Sequence, residues 1–311
     1  MSLTVRPFRP ADAPAVAGVL RAAAPYQLVT PELIAWQAAS APAAERYALL
    51  VAEDDSRSES AGEPLGVART GLLHESAEPG LGFANVSVHP GRRGRGAGAA
   101  LLAAAERRLA GLGVVTAYAK VADDPVAVAF AERRGYRRSR QALQLRLELA
   151  TATLPDLPAA PGVELVTAAD LADPRPVYEA DLAAAADEPG DAPMDDISYP
   201  DWLAAYWHRP DLDRELTSMA MVDGVVVAFS VALTDGGDGY QSGMTGTRPS
   251  HRRAGLAGLV KLASLHRARR TGHRYAVTTN DAGNDAMLAI NRRLGYRTVG
   301  AEWRYLRDLS G

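Results

Sequence analysis

The chain has 311 residues, a net charge of −3, 47% apolar and 23% charged residues, and no cysteine. Such a length suits two domains of about 150 residues, each large enough to bury its own core. The composition excludes disulfides, thiolate metal sites and a cysteine nucleophile, and with a pI near 6 gives no basic surface to expect nucleic acid on. No window approaches 18 apolar residues and MSLTVRPFRP holds no signal-peptide core, so no membrane partner and a cytoplasmic location are expected.

In chain order, a strand at Leu3–Pro7 precedes a helix that Asp12 is placed to cap. A nearly uncharged segment, PYQLVTPELIAWQAASAPAAER, leads to the strands YALLVAE and LGVARTGLL, joined by the polar loop DDSRSESAGEP. A strand ending at Val88, a helix over Gly96–Gly111, a strand over Val114–Lys120 and a helix over Val126–Arg134 follow. A closing pair of strands ends the set. Three prolines then interrupt ATATLPDLPAAPG.

The same order starts again. A strand at Val163–Val166 and an Asp170-capped helix come first, then the acidic stretch DEPGDAPMDDISYPDW. TSMAMV and VVVAFSVAL are joined by Asp223-Gly224, a hairpin signal. A strand ending at Thr247, a helix over Gly255–Arg270, a strand over Arg274–Thr279 and a helix over Ala286–Leu294 complete the copy. Pro90 and Pro249, Arg93 and Arg252, and Gly96 and Gly255 are each 159 residues apart, and Gly135-Tyr136 returns after 160 as Gly295-Tyr296. The expected organisation is a domain over 1–149, a linker over 150–161 and a second domain over 162–311. The expected fold class is α/β (α+β), each domain a mixed sheet with helices on both faces.

The stretch VSVHPGRRGRGAGAALL, from Val86, carries the chemistry. A strand turning at once into a helix aims the helix's free N–H groups and positive dipole end at one spot. Glycines there let a ligand approach the main chain closely, and an anion such as a pyrophosphate is the natural occupant. A solvated glycine turn is the plainer reading of a glycine pattern alone. A dinucleotide fingerprint fits poorly, because it follows the first strand of a parallel unit.

V-x-V-H-P-x-x-R-G-R-G-x-G-x-x-L-L resembles the acetyl-CoA-binding motif of the GNAT (Gcn5-related N-acetyltransferase) family. DDPVAVAFAERRGYR and TTNDAGNDAMLAINRRLGYR are similar to that family's second motif, the latter with Asn284 at the motif's Asn position. The resemblance covers both halves nearly end to end and implies two tandem acyl-CoA N-acyltransferase domains. It implies that Val86, Ser87 and Val88, and Thr245, Gly246 and Thr247, pair with the pantetheine arm. It further implies that Arg93, Gly94, Arg95, Gly96, Ala97 and Gly98, and Arg252, Arg253, Ala254, Gly255, Leu256 and Ala257, receive the pyrophosphate. Acetyl-CoA is the implied co-substrate, with no metal and no covalent enzyme intermediate. Where the family often has a tyrosine to protonate the leaving sulfur, the halves have Ala131 and Asn291. Asp124 stands at the first half's Asn position, a carboxylate facing an anionic arm. Ala254 is read as replacing a loop glycine in the second half.

These departures place transfer chemistry in the second half, with Asn291 near the sulfur. Asp238 and Tyr240, on the strand entering the second loop, are the candidates on the acceptor side; a turn aspartate is also an ordinary turn residue. Asp187, Glu188, Asp195, Asp196, Tyr199 and Trp202 are the candidate lid for a cationic acceptor, against the alternative of a solvated loop. The expected reaction is acetylation of a primary amine on a small, cationic molecule. A CoA-binding sensor without turnover and a protein acetyltransferase are the competing readings.

Overall fold

The computed structural model describes residues 3–54, 64–76, 78–185 and 197–310. The chain divides into two compact units, one from Met1–Ala142 with Ala301–Gly311, the other from Leu143–Gly190 with Asp196–Gly300. The first unit contains β1 (Leu3–Pro7), α1 (Ala13–Ala23), α2 (Pro31–Ser40), β2 (Ala48–Asp54), β3 (Gly66–Leu72) and β4 (Leu81–Val88). It continues with α3 (Ala97–Gly111), β5 (Thr116–Ala122) and α4 (Pro125–Glu132), and β6 (Arg137–Leu147) then leaves it. The second unit contains β7 (Glu164–Thr167), α5 (Arg175–Ala185), α6 (Tyr199–Trp202), β8 (Ser218–Val222), β9 (Val225–Thr234) and β10 (Gly239–Thr247). After them come α7 (Leu256–Arg270), β11 (Tyr275–Asp281), α8 (Asp285–Arg293) and β12 (Arg297–Asp308).

The first unit's strands run β1-β2-β3-β4-β5-β12 and the second's β6-β11-β10-β9-β8-β7. The units therefore end differently from a cut at 150–161. The last strand of the chain completes the first unit's sheet, Glu302 to Asp308 pairing antiparallel with Ala122 to Thr116. The side chains enforce this. Tyr305 is fully buried with Leu101, Leu109 and Ala117 of the first core, and Trp303 packs beside it. Leu145, Leu147 and Leu149 alternate into the second core with Leu262, Leu265 and Tyr296. The proline-rich stretch is strapped to α7 by His266 to the Pro155 carbonyl (2.8 Å) and Arg269 to the Ala152 carbonyl (3.0 Å).

Two capping expectations are corrected. Asp12 accepts from the Arg9 amide and pairs with Arg6 at 2.7 Å, so its carboxylate caps a short turn before α1 and not α1 itself. Asp170 is bonded back to Thr167, and α5 begins only at Arg175, where Asp173 accepts the amide. The Asp223-Gly224 hairpin forms as read, with positive φ at both residues (49° and 77°), as a tight primed turn requires.

Candidate functional site

Each sheet opens at one place. In the first unit β4 and β5 pair in parallel only at Leu81↔Thr116, Gly82↔Ala117 and Phe83↔Tyr118. Beyond that the strands part, and the Asn85 side chain bridges them by accepting the Lys120 amide at 2.8 Å. In the second unit pairing stops after Gln241↔Val277, and the Thr278 hydroxyl bridges to the Ser242 carbonyl at 3.0 Å. A β-bulge between Ser242 and Thr245 bends β10 at the same level. The segments 86–88 and 245–247 thus lie on strands whose inner edges have no neighbouring strand to bond.

Each opening strand turns through a short 3₁₀ turn into a long helix. Gly96 (φ 84°) and Gly255 (φ 76°) precede α3 and α7 in the left-handed region, where glycine is unstrained. A Cβ added at Gly94, Gly96 or Gly255 would meet nothing within 4 Å among the described residues, which leave the space over the turn open. The first helical bonds are Ala100 N–H to Gly96 O and Leu259 N–H to Gly255 O. The amides of residues 94–99 and 253–258 donate to no acceptor among the described residues. Each corner is therefore a set of converging N–H donors at a helix N-terminus, receptive to an anion.

Among the differences between the two loops, one bears on backbone strain. The residue in Gly94's place (φ 78°) is Arg253 (φ 65°), a left-handed arginine. Ala254 corresponds to Arg95, which corrects the expected replacement of a glycine by Ala254. The second cradle carries strain that the first avoids.

Asp124 and Asn284 have the same job. Asp124 Oδ1 accepts the amides of Val126 and Ala127, and Asn284 Oδ1 that of Met287, capping α4 and α8. Arg93 lies against Asp124 at 3.3 Å. The carboxylate that the sequence sets beside the anion site is thus countered by an arginine of the same loop.

Asn291 is fully buried, donating through Nδ2 to Asn280 Oδ1 on β11 at 2.6 Å. Its own Oδ1 is buried and without a partner among the described residues. The equivalent Ala131 is buried among apolar groups.

Tyr240 and Asp238 are not at the opening. Tyr240 is fully buried at the closed, paired end of β10, its hydroxyl 2.7 Å from Ser264, whose own hydroxyl donates to the Leu216 carbonyl. Burial pushes its pKa up to about 12. Asp238 is exposed beside Arg274, and its carbonyl accepts that residue's amide. Both are structural: one belongs to the core, the other to a turn.

The lid residues Asp187, Glu188, Asp195 and Asp196 lie outside the described residues. Trp202 is a core residue, stacked on Trp207 and donating to Asp181, which corrects its reading as a substrate contact. Tyr199 stacks on it and lies under Arg175. Gly246 is packed against α5, since a Cβ there would stand 2.6 Å from Ala184.

A feature the sequence reading missed is Lys261, buried in α7 where the first unit has Leu102, its ammonium 5.4 Å from the centre of the Tyr296 ring. Burial lowers its pKa to about 7. Among the described residues no group of three or more His, Cys, Asp or Glu could hold a metal, and no helix is long and apolar enough to cross a membrane.

Two mixed sheets, each opened between parallel strands beside an anion-receptive helix N-terminus, define a tandem acyltransferase architecture. The acetyltransferase (GNAT) family profile matches residues 18–136. A mycothiol acetyltransferase of Nocardioides sp. (strain ATCC BAA-499 / JS614) is 32% identical over 224 residues, 67% of this chain and 74% of that protein. The mycothiol acetyltransferase of Nocardia farcinica (strain IFM 10152) is 30% identical over 226 residues, 72% and 73% of the two chains. Among solved structures, a tandem GNAT protein from the clavulanic acid biosynthesis pathway superposes with a TM-score of 0.74 at 22% identity, covering 100% of this chain and 99% of that one. A GCN5-related N-acetyltransferase from Sphaerobacter thermophilus gives 0.72 at 20% identity, covering 99% and 96%. The chain belongs to the GNAT acetyltransferase family: it is a tandem GNAT protein, an acetyltransferase resembling the mycothiol acetyltransferases.

Proposed function

We propose that this protein transfers an acetyl group from acetyl-CoA to the primary amine of a small molecule, with the chemistry in the second unit and CoA binding without turnover in the first. The opened strand pair beside unbonded helix amides is the observation that carries the reading. Bound acetyl-CoA would supply a thioester whose carbonyl carbon is open to attack by an amine. The amides of Arg253 to Gly258 would take the pyrophosphate, and Gly243 to Thr247 the pantetheine arm, in the manner of an added strand. The open space over Gly255 and the unbonded amides fit such a group.

Asn291 makes the second unit the reactive one. Held by Asn280, it is a hydrogen-bond partner for the sulfur and has no proton to give as an acid. Ala131 offers the first unit nothing equivalent. The names of the curated relatives point to a small-molecule acceptor related to mycothiol. Asn291→Ala should lower kcat about tenfold or more with the KM for acetyl-CoA nearly unchanged, because the interaction is stronger in the transition state than in the ground state. Equal loss in an Asn291→Ala and an Ala131→Gly variant would remove the assignment to the second unit.

A second reading, a CoA-binding sensor, draws on the absence of an ionisable group at both Ala131 and Asn291. Thiol release across a panel of small amines decides. Turnover above background supports the transferase, and tight CoA binding with none supports the sensor.

The Arg93–Asp124 pair gives a further expectation. Asp124→Asn keeps the cap on α4, since Asn caps as well as Asp, and frees Arg93 for a phosphate. Calorimetry should find CoA bound about threefold tighter at the first unit, with stability changed by less than about 0.5 kcal/mol. Weaker binding would show that the carboxylate is not opposing the anion.

A further inference from the structure

The strands β3, β4, β5 and β12 set Arg69, Asn85, Lys120 and Arg304 in one row across the first unit. Register pairs Arg69 with Asn85 and Lys120 with Arg304, and the Asn85 side chain spans the opening to the Lys120 amide. Ala84, Val86, Ala119, Trp303 and Tyr305 pack on the α3 side. Side chains alternate along a strand, so the row projects from the opposite face, which Leu49 and Val67 share with α1 and α2. With strands ~5 Å apart, three cationic side chains stand along ~15 Å of sheet.

Their charges are not balanced. Arg304 is paired with Glu302. Arg69 makes no hydrogen bond or ion pair with any described residue, and its Nε is buried without a partner. The Lys120 ammonium has no described partner either, and it feels Arg304 and Arg69 as like charges, with Glu302 opposing. The contrast with Arg6 is direct: that guanidinium, also largely buried, is held between Asp12 and Glu53. A buried donor left unmade costs ~1–3 kcal/mol, more when charged, and neighbouring like charges add to it. The second unit has no such row, with Met244 and Thr279 at the positions of Asn85 and Lys120.

We infer that this row binds an oxyanion, the carboxylate or phosphoryl group of a small molecule. The Arg69 guanidinium and the Lys120 ammonium are its charged donors. The Asn85 amide NH₂, left over once Oδ1 has taken the Lys120 amide, is the third. An anion between them satisfies the buried Nε and removes the repulsion in one step, and the planar guanidinium suits a two-oxygen contact. The first unit then holds a ligand of its own, and this inference stands independently of whether acetyl transfer occurs in the second.

The experiment is calorimetry on the full chain at low ionic strength, with CoA at saturation so that the helix N-termini are filled. Citrate is the carboxylate probe and inorganic pyrophosphate the phosphoryl probe. One saturable site is expected for at least one of them, and the probe that binds names the group. Arg69→Met and Lys120→Met should each weaken it about tenfold, while Arg270→Met, an exposed arginine of the other unit, leaves it unchanged. Circular dichroism melts show that the variants fold. No saturable heat with either probe, or equal binding by wild type and the double variant, overturns the inference. If CoA itself fails to bind, that counts against the proposed function alone. The citrate titration is still decided by the difference between wild type and the double variant.

Discussion

Gly255→Asp is expected to abolish CoA binding in the second unit and acetyl transfer with it, while the protein stays folded. The reasons are local. At φ 76° any side chain costs ~1–2 kcal/mol, a strain this loop already tolerates at Arg253. No described residue stands within 4 Å of the added Cβ, so no packing among them is broken. The carboxylate would instead lie over the amides of residues 256–258, taking their hydrogen bonds and repelling a pyrophosphate. Two such effects together should lower affinity by at least about a hundredfold. Gly96→Asp should do the same in the first unit and leave transfer largely intact. Calorimetry with each variant reads the two sites separately, and two undisturbed sites in either variant would refute the cradle assignment.

The second large effect is expected at Lys261. Its pKa is lowered by burial from 10.5 in the unfolded chain to about 7. Between those values the unfolded chain holds a proton that the folded one has released, so unfolding takes up a proton and stability rises with pH from about 7 toward 10. Below 7 both forms are protonated and the penalty is at its full value. Each tenfold change in proton affinity is worth about 1.4 kcal/mol, so the cost near neutrality is several kcal/mol. Lys261→Met keeps the volume and removes the charge. It should raise stability at pH 7 by about 2 kcal/mol or more and flatten the rise seen in wild type. The difference between their urea midpoints from pH 6 to 9 isolates this lysine from other titrating groups. A constant difference across that range, or a destabilised variant, would show that Lys261 is not buried as a neutral amine.

The repeat, the hairpin, the positions of α3, α4, α7 and α8 and the two glycine corners were legible because each rests on local pattern: period, turn chemistry, or glycine spacing. Helices α2 and α6 lie in segments that carry no such pattern. What was not legible depends on register and on long-range partners. A run such as Leu143, Leu145, Leu147 and Leu149 announces a strand but not which sheet receives it, so the exchange of strand ends between units was invisible. Trp202 and Tyr240 looked chemical by type, and only burial shows them to be core. Asp12 and Asp170 looked like helix caps, and their carboxylates are bonded elsewhere. Lys261 is one of four basic residues in α7, with Arg267, Arg269 and Arg270 in the last turn, and only packing shows that it alone is fully buried. The row from Arg69 to Arg304 required four strands to be aligned before its residues could be seen as neighbours.

The difference between the two cradles, by contrast, was within reach of the sequence. The 159-residue offset itself sets Arg253 opposite Gly94 and Ala254 opposite Arg95, and the left-handed backbone at both Gly94 and Arg253 agrees with that pairing. A substitution Arg253→Gly would relieve that strain and give the second loop the geometry of the first. The strain is therefore specific to the unit that carries Asn291, and it brings no added charge, because Ala254 stands where the first loop has Arg95.

A crystal grown with acetyl-CoA puts the whole account to its most direct trial. Density for a diphosphate should stand on the main-chain amides at the start of α3 and of α7, with the thioester lying in the gap between β10 and β11 near Asn291. Both helix starts empty at saturating acetyl-CoA, or the cofactor seated elsewhere on the chain, would contradict it.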